Sequence, residues 1–268
     1  MFDLKQVNKD LQAHLRRKQI KAILSGKLMQ EAILIIGASS QIAQASAHLL
    51  AKDLPEHQQI WISRKLQNRT ATINPVYIQS DYSECSIEQI CKDLSGYRLS
   101  HILIFNGLLH HENKQIFPEK KLEDLSLTAL NQVFTANAFN TAIWLKYLAP
   151  QVKHQQTCYI TVLSARVGSI SDNQLGGWYA YRASKAALNM ILKTAAVEFS
   201  RRAKNVKVIA FHPGTTDTEL SKPFQKNVKP EKLFTPEFVA ERLLSVVKNA
   251  PLDNQLSYLD WQGKSIAF

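Results

Sequence analysis

From residue 31 onward the chain alternates between short apolar runs and longer stretches whose apolar residues recur every three to four positions. Runs of the first kind have the length and β-branched content of buried strands, and those of the second have the period of amphipathic helices. The pattern predicts strands over about 31–36, 58–63, 76–79, 101–105, 157–163, 206–211 and 256–260. It predicts helices over 40–52, 86–94, 126–148, 179–202 and 236–248. Strands separated by helices need crossover connections, so the expected fold class is α/β: a doubly wound, mostly parallel seven-stranded sheet with helices on both faces. Such sheets bind ligands beyond the carboxyl ends of their strands, where the strand order reverses.

The 268 residues suit one large domain with a substantial core. Residues 1–28 stand outside the alternation and read as a basic amphipathic extension, with Leu4, Val7, Leu11 and Leu15 on one helical face. Met29 lies just before the first strand, so the domain is placed at 29–268. Cys85, Cys91 and Cys158 form no Cys-x-x-Cys and have no histidine at ligand spacing, which argues against a disulfide framework or a metal site and fits a reducing cytoplasm. No apolar run approaches the ~18 residues of a membrane span, and the N-terminus lacks the apolar core of a secretory signal.

The net charge of +11 raises the question of nucleic acid. Residues 1–28 hold seven Lys/Arg against two Asp, and the remaining excess is dispersed. Basic clusters such as Arg201 to Lys207 lack interleaved aromatics and read as solvated surface, so no nucleic-acid or membrane partner is expected.

The segments after the strands carry the polar residues. After the first strand, Gly37, Ala38, Ser39 and Ser40 lead into the Ala-rich run that begins Gln41-Ile42, a strand, phosphate-sized turn and helix N-terminus. After the second come Arg64 and Lys65, suited to a 2′-phosphate where an acidic residue would bind a ribose 2′-OH. Tyr181 and Lys185 lie one helical turn apart on a shared face, where an ammonium lowers a phenol's pKa and prepares it for proton transfer.

Taken in order, these features resemble the classical short-chain dehydrogenase/reductase family, in its C-factor-like and carbonyl-reductase-like branch. The residues that carry the resemblance are Gly37, Asn137 in "FTANAFNTAIWL", Ser164 with Gly168, "GGWYAYRASKAALN" and "HPG" before Gly214, spanning about residues 30–262. The resemblance implies a Rossmann-like domain and an NADP(H)-dependent oxidoreductase, with NAD(H) the lesser alternative, acting on a small-molecule carbonyl or alcohol. A degenerate member that binds nucleotide or a protein partner without turnover is the other reading. Tyr181 would be the general acid/base, Lys185 would tune it and bind the nicotinamide ribose, Asn137 would hold a relay water, and Ser164 would orient the carbonyl.

The cofactor residues implied are Gly37, Ser39, Ser40, Ile42, Arg64, Asp81, Tyr82, Asn106, Gly107, Tyr181, Lys185, Pro213, Gly214, Thr216 and Thr218. The long helices 126–148 and 179–202 would occupy the family's dimer faces, so a homo-oligomer is expected. Three departures stand out. Gln41 and Ala43 replace two glycines of the first turn, Ile104 and Phe105 replace the family's asparagine pair, and Ala165 falls at the regular serine register, beside Ser164 and before Ser169.

Overall fold

The computed structural model describes residues 29–65 and 73–268; the expected helix within residues 1–28 lies outside the described residues. Strands β1 (Gln30–Ile36), β2 (Gln58–Ser63), β3 (Val76–Gln79), β4 (Tyr97–Ile104), β5 (Cys158–Leu163), β6 (Val206–His212) and β9 (Leu256–Asp260) build one sheet. Its order is β3-β2-β1-β4-β5-β6-β9, every neighbouring pair parallel. The order reverses between β1 and β4, which places the switch point beyond Ile36 and Ile104. Two short strands, β7 (Thr215–Thr216) and β8 (Leu233–Phe234), pair separately.

Alternation along the strands divides the core into two layers. Ala32, Leu34 and Ile36 of β1 face one layer with α2 (Glu84–Asp93), α4 (Asn140–Leu148) and α5 (Tyr179–Arg202). Ile33 and Ile35 face the other, with α1 (Gln41–Asp53) and α6 (Pro236–Asn249). The one long helix expected over 126–148 is interrupted: α3 (Leu127–Phe134) passes into a π turn over Thr135–Phe139 before α4 begins. Strand β4 also starts four residues earlier than expected, at Tyr97, with a register shift opposite Ala32/Ile33.

The basic cluster before β6 is not wholly solvated. Lys207 is fully buried, and its ammonium donates to Asp253 Oδ1 at 2.6 Å and Gln255 O at 3.1 Å. A buried cation is tolerated only with such partners. Among the described residues no helix is long and apolar enough to cross a membrane.

Two histidines make stability depend on pH. Burial pushes His101 on β4 down to about 4, with His57 adding to the effect. Burial likewise pushes His212 at the end of β6 down to about 4, helped by Arg166. An unfolded histidine takes its proton near pH 6.5, so between that pH and about 4 the unfolded chain binds more protons than the folded one. Stability is therefore full above pH 6.5 and falls on acidification, by about 2–3 kcal/mol per histidine on reaching pH 4. Urea midpoints at pH 7.5 and pH 5 check this, since carboxylates contribute little above pH 5; His101→Leu should flatten the slope, and equal midpoints in the unmutated protein would refute it.

Candidate active site

At the end of β1 the chain turns at Gly37 with φ +79°, a conformation open to glycine. The amides of Gly37 and Ala38 donate to Ile62 O of β2 at 2.9 and 3.0 Å, and the Phe105 amide donates to Ile36 O at 2.8 Å. A Cβ on Gly37 would lie 2.7 Å from Asn106 Oδ1. The turn is thus pulled tightly between β2 and the segment after β4.

Helices α2, α3 and α6 are each capped by a side-chain hydroxyl, from Ser83, Ser126 and Thr235. Helix α1 is not: Ser40 makes no capping bond and the first turn contains no acid. Its N-terminal amides and positive dipole end are left for an anion. Ser39 is exposed beside them, whereas Ile42 is packed into the core, so only its backbone faces the turn.

Arg64 is exposed directly after β2. It lies near the Tyr82 phenol, whose pKa burial raises while Arg64, the Gly37 amide and the Asn106 side chain oppose the rise. Asp81 accepts the Ser83 amide at 2.8 Å, and the Ser83 contacts hold its carboxyl below the usual carboxylate range. That bond serves the turn into α2. Gly107 is exposed next to Asn106. Beyond β6, Pro213 leads to Gly214 at φ +74°, where a Cβ would meet the Phe234 ring at 2.7 Å; Thr216 is buried, and Thr218 Oγ1 donates to Thr216 O at 3.4 Å. The buried atoms Asn106 Oδ1 and Thr216 Oγ1 have no protein partner.

Tyr181 and Lys185 sit on the first turns of α5, above the end of β5. The expected pairing is looser than their spacing implies. Lys185 Nζ is 5.9 Å from the Tyr181 ring centre and donates to Leu163 O at 2.8 Å. Burial, with the Tyr258 phenol adding to it, pushes Tyr181 up to about 12, and burial pushes Lys185 down to about 8. Near pH 7 Tyr181 therefore carries its proton and Lys185 is predominantly charged.

Asn137 lies in the π turn, buried, and is fully engaged: Oδ1 accepts the Leu108 amide at 2.7 Å, while Nδ2 donates to Leu108 O and Ser184 Oγ, both at 2.9 Å. Its side chain ties the loop after β4 to α5. Ser164 is buried and donates to Asn189 Oδ1 at 2.6 Å. Ser169, also buried, lies 3.3 Å from Ser171 Oγ and accepts the Asp172 amide at 3.2 Å. Ala165 offers its carbonyl to the Tyr258 hydroxyl at 2.7 Å.

A chain of edge-to-face rings leads away from the phenol. Trp178 meets Tyr181 at 6.2 Å, Phe224 meets Trp178 at 5.1 Å, and His110 meets Phe224 at 5.5 Å. A Cβ on Gly107 would lie 3.9 Å from Leu220 Cδ1, so residues 220–224 fold back over the loop after β4. Leu220 and Phe224 were not singled out by sequence, since their segment has no apolar period to read, and Trp178 entered only as part of the quoted motif around Tyr181.

Residues 31–229 match the sequence profile of the short chain dehydrogenase family. The chain belongs to that family. As a short-chain dehydrogenase it is an enzyme, an oxidoreductase acting between CH–OH and C=O groups with a nicotinamide cofactor. It is 25% identical over 234 residues to benzil reductase ((S)-benzoin forming) of Bacillus subtilis, covering 81% of this chain and 93% of that one. It is 26% identical over 243 residues to an uncharacterized oxidoreductase of Schizosaccharomyces pombe, covering 86% and 90%. Its fold matches that of an NADPH-bound carbonyl reductase from chicken fatty liver with a TM-score of 0.74 at 21% identity, over 90% of this chain and all of the other.

Proposed function

We propose that this short-chain dehydrogenase uses NADP(H) to interconvert a carbonyl and a secondary alcohol, with Tyr181 as the general acid/base. The observation that carries the reading is the placement of Tyr181 and Lys185 on α5 over the carboxyl end of β5, the strand next to β4 and the switch point between β1 and β4. The strand ends fit a dinucleotide: α1 presents an uncapped N-terminus after the turn at Gly37, and Arg64 stands exposed after β2 for a 2′-phosphate. Gly37, Ser39, Ser40 and Ile42 would hold the pyrophosphate, Asp81 and Tyr82 the adenine end, and Pro213, Gly214, Thr216 and Thr218 the nicotinamide end. When bound, the cofactor supplies or accepts the hydride.

The protein's own part is proton transfer and orientation. Tyr181, protonated near pH 7, donates to the carbonyl oxygen during reduction. Lys185 keeps its ammonium on Leu163 O, 5.9 Å from the Tyr181 ring centre, so it meets the phenolate that donation leaves as a charge at a distance and not as a contact. Asn137 holds the loop that carries Gly107 against α5. Ser164 gives its hydrogen to Asn189, so it meets a carbonyl only by turning its hydroxyl; as the site stands, Tyr181 is the donor in place.

The ring lining of Trp178, Phe224 and His110 favours a carbonyl compound that carries an aromatic ring, and the name of the Bacillus subtilis relative points the same way. NADPH oxidation with 1-phenylpropane-1,2-dione and with hexane-2,3-dione, both vicinal diketones and only one carrying a ring, tests both parts. Turnover of neither refutes an aryl ketone of this kind as substrate, and equal kcat/KM for the two refutes the aromatic preference.

Cofactor choice has its own test. NADPH should bind at least tenfold tighter than NADH, and Arg64→Asp should remove most of that difference by replacing a phosphate donor with a like charge. Fluorescence titration with both cofactors measures it; equal affinities in the unmutated protein would end the assignment.

A further inference from the structure

We infer that Glu119, from the loop after β4, is a positioning residue that sets the catalytic end of α5. Helix α5 begins without a cap of its own: Trp178 occupies the N-cap position at φ 52°, offers no capping side chain, and follows Gly176 and Gly177, both at positive φ. Its first turn nevertheless has a partner. Glu119 Oε2 accepts the Ala180 amide at 3.2 Å, and Glu119 O accepts the Trp178 amide at 2.6 Å. The side chain is buried at 4% exposure, so this is a carboxylate placed deliberately at the positive end of a helix rather than a surface acid swinging past.

Ala180 immediately precedes Tyr181, so the two amides that Glu119 fixes set where the phenol enters the site. The same loop is tied at Leu108 by Asn137 and carries His110 against Phe224. Glu119 thus joins the wall that receives substrate to the helix that carries the acid. The spacing gives no hint of this, because Glu119 precedes Tyr181 by 62 positions and belongs to no motif.

The inference rests on the reading of Tyr181 as the acid, and the experiment separates the two. Glu119→Ala should lower kcat for 1-phenylpropane-1,2-dione about tenfold, per active site titrated with NADPH, with KM for NADPH unchanged. Glu119→Gln keeps an acceptor of the same reach and should restore most of kcat. Glu119→Asp, one methylene shorter, should not, and it replaces the alanine variant if that one fails to fold. Amide hydrogen exchange over residues 178–182 should quicken in Glu119→Ala and recover in Glu119→Gln, a readout that needs no turnover. Unchanged exchange, or a kcat that merely follows the fraction of folded protein, overturns the role of Glu119. Full activity in Tyr181→Phe overturns the acid assignment instead, and exchange then decides the matter of Glu119 alone.

Discussion

Tyr181→Phe should cut carbonyl reduction by about 10²–10⁴-fold while leaving NADPH affinity nearly unchanged, the range typical of deleting a general acid. The hydroxyl is the group removed, whereas the ring keeps its edge-to-face contact with Trp178 at 6.2 Å. Because burial holds the phenol near 12, the unmutated enzyme carries this proton throughout the neutral range, and reduction should not lose rate from pH 6 to 8 through Tyr181. Single-turnover rates with saturating NADPH, read beside a fluorescence titration of the cofactor, separate chemistry from binding. A variant with more than a tenth of the original rate would mean that the proton comes from elsewhere.

Asn137→Ala should cost about 2–3 kcal/mol of stability and most of the activity. Three hydrogen bonds go at once, to both backbone groups of Leu108 and to Ser184. Leaving such groups unsatisfied costs ~1–3 kcal/mol each when they are buried, less at a residue that is only partly buried, as Leu108 is. The loop through Gly107 to His110 then loses its anchor on the π turn. Asn137→Asp is no remedy, since a carboxylate still accepts the Leu108 amide but sets a negative charge against Leu108 O. Urea unfolding measures the loss; one below ~1 kcal/mol would show that Leu108 finds another partner.

The sheet and its helices were legible because buried parallel strands and amphipathic helices leave periods that sequence retains. Strand β4 began earlier than read because Tyr97, Arg98 and Ser100 interrupt its apolar run, and the Arg98 charge is met by Glu31 of β1 rather than by water. The π turn was invisible: an extra residue in one helical turn changes no composition, only which side chain points at Leu108. Tyr181, Lys185 and Asn137 were found through motif order, but their hydrogen bonds were not. The expectation that Lys185 lowers the Tyr181 pKa treated proximity along the helix as proximity of charge, whereas the ammonium is turned to Leu163 O and burial governs the phenol. Ser164 carried the hydroxyl that the pattern needed, yet which way it points depends on Asn189, 25 residues later.

The sheet order also dictates when the cofactor cleft comes into being. Strand β1 is bounded by β2 on one side and by β4, 67 positions later at Gln30↔Tyr97, on the other. As the chain leaves the ribosome, the first βαβ unit is synthesised well before β4, and until β4 follows the Ile36 carbonyl has no Phe105 amide and Gly37 has no Asn106 packed against it. Closing such a non-local parallel pair is slow, and the unpaired edge of β1 is exposed meanwhile to other chains. Dinucleotide binding is therefore competent only after the two halves of the sheet have joined, and a nucleotide that selects the joined state would draw newly made chains out of the vulnerable one by mass action.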